Sequence, residues 1–326
     1  MATSIICVGA VYIDTILSVP RFLKEDEKLR ATGHARRRGG NCANTLEVLS
    51  QLVDCGVPKD TETRTKLYLL SVLPSKESPD AAFIGNSIPS VNLQRGCIFR
   101  ESFDNAASSY IIQAAEHNSR TIVSHNPVPE MTTKEFIESA SAIRKENQTG
   151  ICWYHFEGRI PTVTAESVNW LREKLPMEKI SVECEKPDRV YMGRVSEHAD
   201  VVFFSKLWAE AQSYKDPQAF LHSQIPNMLP GAILVCTWGS EGATCVQKRR
   251  NEKEEEIWAS VKAWKPSQGP YEVIDTIGAG DTFIAGFLYA IICCEAWSLQ
   301  QKLEYANKLA GLKVLQAGFD GLAMAM

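Results

Sequence analysis

The order of apolar and polar segments along the chain predicts alternating strands and helices. Residues 4–14 are almost continuously apolar and rich in β-branched side chains, which is typical of a strand buried on both faces. Residues 42–53 follow two glycines, and their apolar side chains recur at helical spacing. We therefore expect the chain to open with a strand that ends at Asp14, then a glycine turn and a helix.

Further apolar segments extend this alternation through the rest of the chain. The predicted strands are residues 151–158, 180–185, 200–206 and 232–239, and the predicted helices are residues 164–175, 190–198, 217–228 and 282–297. Alternating strands and helices favour an α/β fold with a mostly parallel central sheet and helices on both faces.

Two segments depart from this alternation of strands and helices. Residues 15–38 carry scattered apolar side chains among many charges, and residues 96–125 alternate in the manner of antiparallel strands. We expect them to pair as a small antiparallel accessory sheet. The sequence has no linker rich in Pro, Gly or Ser and no internal repeat. We therefore predict a single domain over residues 1–326, with the accessory sheet as a subdomain from about 15–38 and 96–125.

Composition and charge exclude two classes of binding partner. Its 326 residues are 44% hydrophobic and carry a formal net charge of −4, so no positive field exists to hold nucleic acid or an anionic membrane. Two charge runs, residues 36–38 and 248–256, are predicted to be solvated turns or loops.

The apolar stretch 5–13 is too short to span a bilayer and lacks the flanks of a signal peptide. The ten cysteines lack zinc or redox spacing, which favours a cytoplasmic protein with reduced thiols.

The clearest chemical motif is DTIGAGDTF at residues 275–283, directly before an apolar, helix-like run. Gly278, Ala279 and Gly280 let a ligand approach the backbone closely, and N–H groups at a helix N-terminus attract anions. This pattern predicts a phosphate site. A carboxylate at Asp281 suits a general base for a hydroxyl that attacks phosphorus. The alternative is that Asp275 or Asp281 only caps the helix.

Two further segments carry polar or flexible residues at the ends of predicted elements. In RGGNCAN, residues 38–44, Asn41 and Asn44 lie on one side of a first helical turn and, with Asp14, offer partners for sugar hydroxyls. The alternative is a glycine turn with a capping asparagine. Residues 239–242 follow an apolar strand and either form a plain hairpin turn or hold a nucleotide by backbone contacts.

Together, GGNCAN at residues 39–44 and DTIGAGD at residues 275–281 resemble the two signature segments of the ribokinase-like family of carbohydrate kinases, and the resemblance covers nearly the whole chain. Further segments resemble its ketohexokinase (hepatic-type fructokinase) branch, namely SRTIVSHN, HFEGR, SVECEKP, VVFFSK, CTWGSEGA and GFDG. The resemblance implies a kinase that uses ATP to phosphorylate the 1-hydroxyl of D-fructose, giving fructose 1-phosphate.

The resemblance also assigns roles to individual positions. It implies that Asp14, Gly40, Asn41 and Asn44 contact the sugar, that Asp281 takes the hydroxyl proton, and that Gly278, Ala279 and Gly280 form the anion hole. It places Gly239, Ser240, Glu241 and Gly242 beside the nucleotide and brings Arg120 to the phosphates from the accessory sheet. It further implies Mg-ATP as donor, a monovalent cation such as K⁺ near Asp275, and a homodimer through the accessory sheet, which acts as a lid.

The sequence departs from the family pattern at several places. Residues 73–94 lack the usual glycine-aspartate turn and strand entry, Ser240 stands where an acidic residue is expected, and residues 205–208 replace an N-x-x-E motif. Two alternatives to a fructose kinase therefore stay open. One is a kinase for another small sugar or a nucleoside, and the other is a catalytically inactive sugar-sensing or scaffolding protein.

Overall fold

The computed structural model describes residues 3–56, 65–117, 119–189, 191–267 and 270–326. The strands are β1 (Thr3–Val8), β2 (Tyr12–Val19), β3 (Gly33–Gly39), β4 (Lys66–Leu70), β5 (Val72–Pro74), β6 (Ile98–Arg100), β7 (Ser108–Ala114), β8 (Ser119–His125), β9 (Ile151–Phe156), β10 (Lys179–Cys184), β11 (Val201–Phe204), β12 (Ile233–Thr237), β13 (Ala243–Gln247) and β14 (Ile257–Val261). The helices are α1 (Asn41–Gly56), α2 (Pro79–Ser87), α3 (Leu93–Gly96), α4 (Thr133–Glu146), α5 (Pro161–Lys174), α6 (Met192–Ser196), α7 (Lys206–Ala211), α8 (Pro217–Gln224), α9 (Ala279–Cys293) and α10 (Leu299–Lys313).

The central sheet has eight strands in the order β14-β13-β12-β11-β10-β9-β1-β4. The strands from β12 to β4 are parallel, and only β13 and β14 run antiparallel to their neighbours. Ile5 and Cys7 of β1 pack into the hydrophobic core that contains α1, α9 and α10, whereas Ile6 and Val8 pack into the core on the other face. Both faces are covered, which confirms the predicted α/β fold class and explains the continuous apolar strands.

The small sheet has four strands in the order β3-β2-β7-β8. Its outer pairs are antiparallel, as predicted, but β2 and β7 at its centre are parallel. Residues 98–100 were expected in this sheet. They instead form β6, which pairs with β5 and not with the small sheet. Short alternating segments do not specify their partner, because pairing is decided by long-range contacts.

The first predicted strand is wrong at its end. Residues 4–14 form two strands in different sheets, because the chain leaves the central sheet after Val8 and enters the small sheet at Tyr12. Gly9 permits the crossing, since a Cβ there would lie 2.3 Å from Glu157 Oε2. Asp14 therefore lies inside β2 and not at the carboxyl end of β1. An unbroken apolar run does not reveal such a change of sheet, because both strands are buried.

Most predicted helices are present with shifted ends. Residues 190–198 reduce to α6, and residues 217–228 split into α8 and a 3₁₀ turn, Ile225–Asn227. The divergent segment 73–94 contains α2, which begins with Ser78 as N-cap. Residues 248–256 join β13 to β14 and are mostly exposed, as predicted. The ten cysteines are free thiols. None of the helices in the described ranges combines the length and apolar character that crossing a membrane would need.

The turn into α1 depends on Gly40, which has a φ of +105°. A Cβ at this position would lie 2.3 Å from the carbonyl oxygen of Ala10, so both the conformation and the space exclude a side chain.

We predict that Gly40→Ala lowers the free energy of unfolding by at least about 1–3 kcal/mol, the cost of such backbone strain. Gly85→Ala in α2 is the control, because its Cβ would make only an ordinary contact at 3.7 Å with Leu93. That variant should be neutral or slightly stabilising, since alanine favours helix. Urea unfolding of both variants measures the difference, and equal effects would contradict this account of the turn.

Candidate active site

The N-termini of α1 and α9 meet around the carboxylate of Asp281. The Nδ2 group of Asn44 donates a hydrogen bond of 2.7 Å to Asp281 Oδ2, and the Thr45 hydroxyl donates to the Asp281 carbonyl at 3.3 Å. Asp281 and Asn44 are both buried. The two glycine motifs, more than 230 residues apart in sequence, thus form one site at the carboxyl edge of the parallel strands.

Most of the sequence-predicted site residues line one cavity of about 390 Å³. Its predicted lining residues are Asp14, Gly40, Asn41, Asn44, Arg120, Gly278, Gly280 and Asp281. The small sheet forms one wall through Ser109, Ile111 and Ile122, and the ends of β10 and β11 form another. The cavity is therefore enclosed between the central sheet and the small sheet.

A second cavity of about 320 Å³ lies on the other side of Thr276, which lines both. Gly239, Ser240 and Ala279 line it together with apolar and aromatic side chains, including Trp264 and Tyr271. Glu241 and Gly242 are not among its lining residues. Glu241 points to solvent and pairs with Lys206. Gly242 has a φ of +111°, and a Cβ there would lie 1.9 Å from the Val261 carbonyl, so it permits close packing of the β13–β14 hairpin.

The glycine-rich segment before α9 provides open backbone. Gly278 caps the helix with a φ of +78°, and a Cβ there would lie 2.3 Å from the ring of Phe319. A Cβ at Gly280 would meet no atom within 4 Å, so this face is open to the cavity. The first N–H groups of a helix have no partner inside the helix and carry its positive dipole end. The segment therefore has the geometry of an anion site, although the Ala279 N–H also reaches the Thr276 carbonyl at 3.3 Å.

A buried chain of charged and polar side chains fixes the Asn44 amide. Arg38 Nη1 donates to Asn44 Oδ1 at 2.7 Å, and Arg38 Nη2 pairs with Glu47. The prediction that residues 36–38 are solvated is wrong for Arg38, which is buried because it packs against α1, where Asn44 and Glu47 are its partners. Arg36 is exposed and pairs with Asp80. The arginine contact leaves only the amide nitrogen of Asn44 available to Asp281.

Several carboxyl groups crowd the cavity. Burial raises the pKa of Asp281 to about 7, against the lowering effect of the Asn44 hydrogen bond. Burial also raises the pKa of Glu157 to about 8, and Oε2 of this buried side chain has no hydrogen-bond partner among the residues that the structure describes. Burial, together with repulsion from Glu185, holds the pKa of Glu183 well above its ordinary range. Burial raises the pKa of Asp14 as well, although Arg37 opposes this. Burial thus favours the protonated form of each of these carboxyl groups.

Asn41 faces an acidic wall of the cavity that is formed by Glu183 and Glu185. Its Nδ2 lies 3.3 Å from Glu183 Oε2 and 3.3 Å from Glu185 Oε2. The sequence prediction omitted both glutamates, although they stand at the carboxyl end of β10, where open α/β sheets bind ligands. The missed signal was the alternation in SVECE, which places two carboxylates two residues apart on the same side of a strand end.

Asp275 lies behind the glycine-rich segment. Its Oδ1 accepts the Ile277 N–H at 2.9 Å, and its Oδ2 lies 3.2 Å from Lys313 Nζ and 3.3 Å from Arg37 Nη1. Burial alone would raise the pKa of Asp275, but the Ile277 N–H and the Lys313 ammonium hold it below its ordinary value. Lys313 was also missed, because a single lysine near the end of a helix carries no motif.

The chain is similar to known carbohydrate kinases along its length. Residues 2–322 match the pfkB family carbohydrate kinase. The sequence is 27% identical over 326 residues to the ketohexokinase of Mus musculus, with 98% of both chains covered. The predicted resemblance to ketohexokinases is thus confirmed.

Solved structures show the same fold. Ribokinase from Giardia lamblia superposes with a TM-score of 0.72 at 14% identity, covering 99% of this chain and 96% of that one. Arabidopsis thaliana ribokinase, complexed with ribose and ATP, gives a TM-score of 0.69 at 16% identity, covering 98% and 94%. The family match spans nearly all of the sequence, so the chain belongs to the pfkB family of carbohydrate kinases, which confirms the predicted enzyme class of an ATP-dependent sugar kinase.

Proposed function

We propose that this kinase transfers the γ-phosphoryl group of ATP to the 1-hydroxyl of D-fructose, giving fructose 1-phosphate and ADP. The observation that carries the proposal is the buried Asn44–Asp281 hydrogen bond of 2.7 Å beside the open N-terminus of α9. A base and an anion site side by side are what phosphoryl transfer to a hydroxyl needs. The choice of a ketohexose is supported by the similarity to mouse ketohexokinase.

In this proposal Asp281 accepts the proton of the attacking hydroxyl. Asn44 donates to Oδ2 and so leaves Oδ1 for the substrate. A pKa of about 7 suits this role, because a base near the working pH is ionised yet still takes a proton well. The backbone N–H groups of residues 278–280 stabilise the charge that develops on the transferred group.

The sugar would lie between Asp14 on β2 and the first turn of α1. Asp14 and Asn41 both line the cavity and offer oxygen and amide partners at its sugar-binding end. Gly40 allows the close approach of the backbone. Glu183 and Glu185 complete the acidic wall and accept hydrogen bonds from hydroxyls of the sugar when these are bound.

The nucleoside would occupy the second cavity, between Ser240 and Trp264, with its phosphates passing Thr276 toward α9. Arg120 lines the first cavity from β8 and would contact these phosphates. Within the described residues, no group of three or more His, Cys, Asp or Glu side chains is arranged to hold a metal. Mg²⁺ fits as an ion held chiefly by phosphate oxygens and water, and when bound it neutralises phosphate charge.

The small sheet would act as a lid and as the contact surface for a second copy of the chain. Its inner side carries Ile111 and Ile122 toward the cavity. Tyr110 pairs with Val123 on the opposite side, where they are 52% and 59% exposed. Exposed apolar side chains on β7 and on the edge strand β8 favour burial against a partner.

The substrate test measures ADP release by the purified protein with Mg-ATP and D-fructose, D-ribose, D-glucose, D-tagatose or adenosine. Phosphorus NMR then locates the phosphate on the product. We expect D-fructose to be the preferred substrate and fructose 1-phosphate to be the product. Turnover of another compound alone would contradict D-fructose as the substrate but would support kinase activity. No turnover, with ATP still bound, would favour the sensing or scaffolding alternative.

We predict that Asp281→Asn lowers kcat by about 10²–10⁴-fold, the usual contribution of a general base. Binding of ATP and sugar, measured by calorimetry, should remain close to that of the unaltered protein, because the amide fills the same space. Asp320→Asn, at an exposed position, is the control and should retain full activity. Loss of binding together with turnover would assign Asp281 a structural role instead.

The pH profile follows from the raised pKa of Asp281. The base acts only when ionised, so kcat/KM should fall about tenfold per pH unit below a pH of about 7. Asn44→Ala removes a hydrogen bond that stabilises the ionised form and should move this limb to higher pH. If the fall of kcat/KM at low pH occurs at the same pH in Asn44→Ala, a group other than Asp281 controls it.

Val123→Lys tests the contact surface. A lysine at the centre of an apolar interface should convert a homodimer to a monomer, as measured by light scattering. Met177→Lys is the control, because Met177 is 81% exposed outside the small sheet and should leave the assembly unchanged. A monomeric unaltered protein, or a dimer that survives Val123→Lys, would contradict the proposed interface.

A further inference from the structure

The side chain of Lys313 lies where the sequence resemblance led us to expect a bound monovalent cation. Lys313 is the last residue of α10 and is fully buried. Its Nζ lies 3.2 Å from Asp275 Oδ2, 3.0 Å from the Asp275 carbonyl oxygen and 3.3 Å from the Gln316 carbonyl oxygen. Carboxylate and carbonyl oxygens in a water-poor site are the ligands that K⁺ takes in proteins. Here these oxygens surround a cation that is part of the chain.

The three contacts suit the charged form of the lysine, and the Asp275 carboxylate opposes the lowering of its pKa by burial. An ammonium group has three N–H donors, and each of the three oxygen atoms accepts one, whereas a neutral amine has only two. Arg37 Nη1 adds a second cation 3.3 Å from the same carboxylate. A third positive charge would be repelled by both and would find its ligands already used. The residues around Asp275 therefore do not fit a bound K⁺.

The lysine also connects to the phosphate site. It binds both the side chain and the carbonyl of Asp275, whose Oδ1 accepts the Ile277 N–H at 2.9 Å. Its Nζ lies 5.3 Å from the ring centre of Phe319, and that ring packs against Gly278 at the start of α9. Two sets of contacts thus run from Lys313 to the segment that begins the anion site. The ammonium holds this segment in place and adds positive charge behind it.

We propose that Lys313 replaces the monovalent cation at Asp275, so that the phosphate site of this kinase is formed and active without K⁺. Lys313 is a positioning residue, because it acts through Asp275 and Phe319 and does not touch the substrate. The effect on turnover rests on the proposed function. The effect on cation binding and stability does not, because it concerns the folded protein alone.

The experiment compares the unaltered protein with Lys313→Ala in KCl and in tetramethylammonium chloride at equal ionic strength. Melting temperature and kinase activity are measured in both salts. The unaltered protein should give the same values in both. Lys313→Ala should melt lower and lose about 10–100-fold in activity in tetramethylammonium chloride, the usual cost of losing a group that orients a site. KCl should restore both values in large part, because K⁺ fits the emptied site and the larger cation does not.

Lys308→Ala is the matched control, since Lys308 lies on the same helix and donates to the Met326 carbonyl at 2.8 Å. It should show no dependence on the cation. A higher melting temperature or activity of the unaltered protein in KCl would overturn the proposal. Equal values for Lys313→Ala in the two salts would overturn it too. If Lys313→Ala does not fold, the proposal is tested by whether the melting temperature and activity of the unaltered protein differ between the two salts. If no sugar is phosphorylated, the melting temperatures decide this proposal, and only the proposed function fails.

Discussion

The burial of one carboxylate, Asp281, at the meeting point of two helix N-termini is the constraint on which the site depends. A buried carboxylate must find donors or take up a proton. Asn44 supplies the donor, Arg38 orients Asn44, and Glu47 balances the charge of Arg38. Each contact fixes the next, so the entry into α1, the end of β3 and the start of α9 are held in one arrangement. Burial within that arrangement raises the pKa of Asp281, and the Asn44 hydrogen bond and Arg38 partly offset the rise.

Charge is divided between the two sides of the glycine-rich segment. On the cavity side lie the carboxyl groups of Asp14, Glu183 and Glu185, which suit the hydroxyl groups of a sugar. Behind the segment, Arg37 and Lys313 surround Asp275. In the proposed function, an anion at the N-terminus of α9 would lie between these carboxyl groups and the two basic side chains. This division of charge would orient a sugar and a nucleotide without a permanently bound monovalent cation, because both basic side chains belong to the chain.

The sequence predicted the fold class and the two glycine motifs well, since both depend on local signals. Continuous apolar strands indicate a buried parallel sheet, and GGNCAN and DTIGAGD each mark a helix start. It failed where distant contacts decide the result. The change of sheet between Val8 and Tyr12, the burial of Arg38 and the position of Lys313 beside Asp275 depend on partners far away in sequence. Gly242 was predicted to border a nucleotide, yet the hairpin explains it on steric grounds alone.

We propose that Asp281 is a buried base whose proton affinity is set by its surroundings. The most direct measurement is a ¹³C NMR titration of aspartate carboxyl groups, in which the Asp281→Asn variant identifies the missing signal. The account predicts that the Asp281 carboxyl titrates with a pKa of about 7. A pKa near 4, the ordinary value for aspartate, would contradict it, because burial would then not control the proton affinity of this carboxyl group.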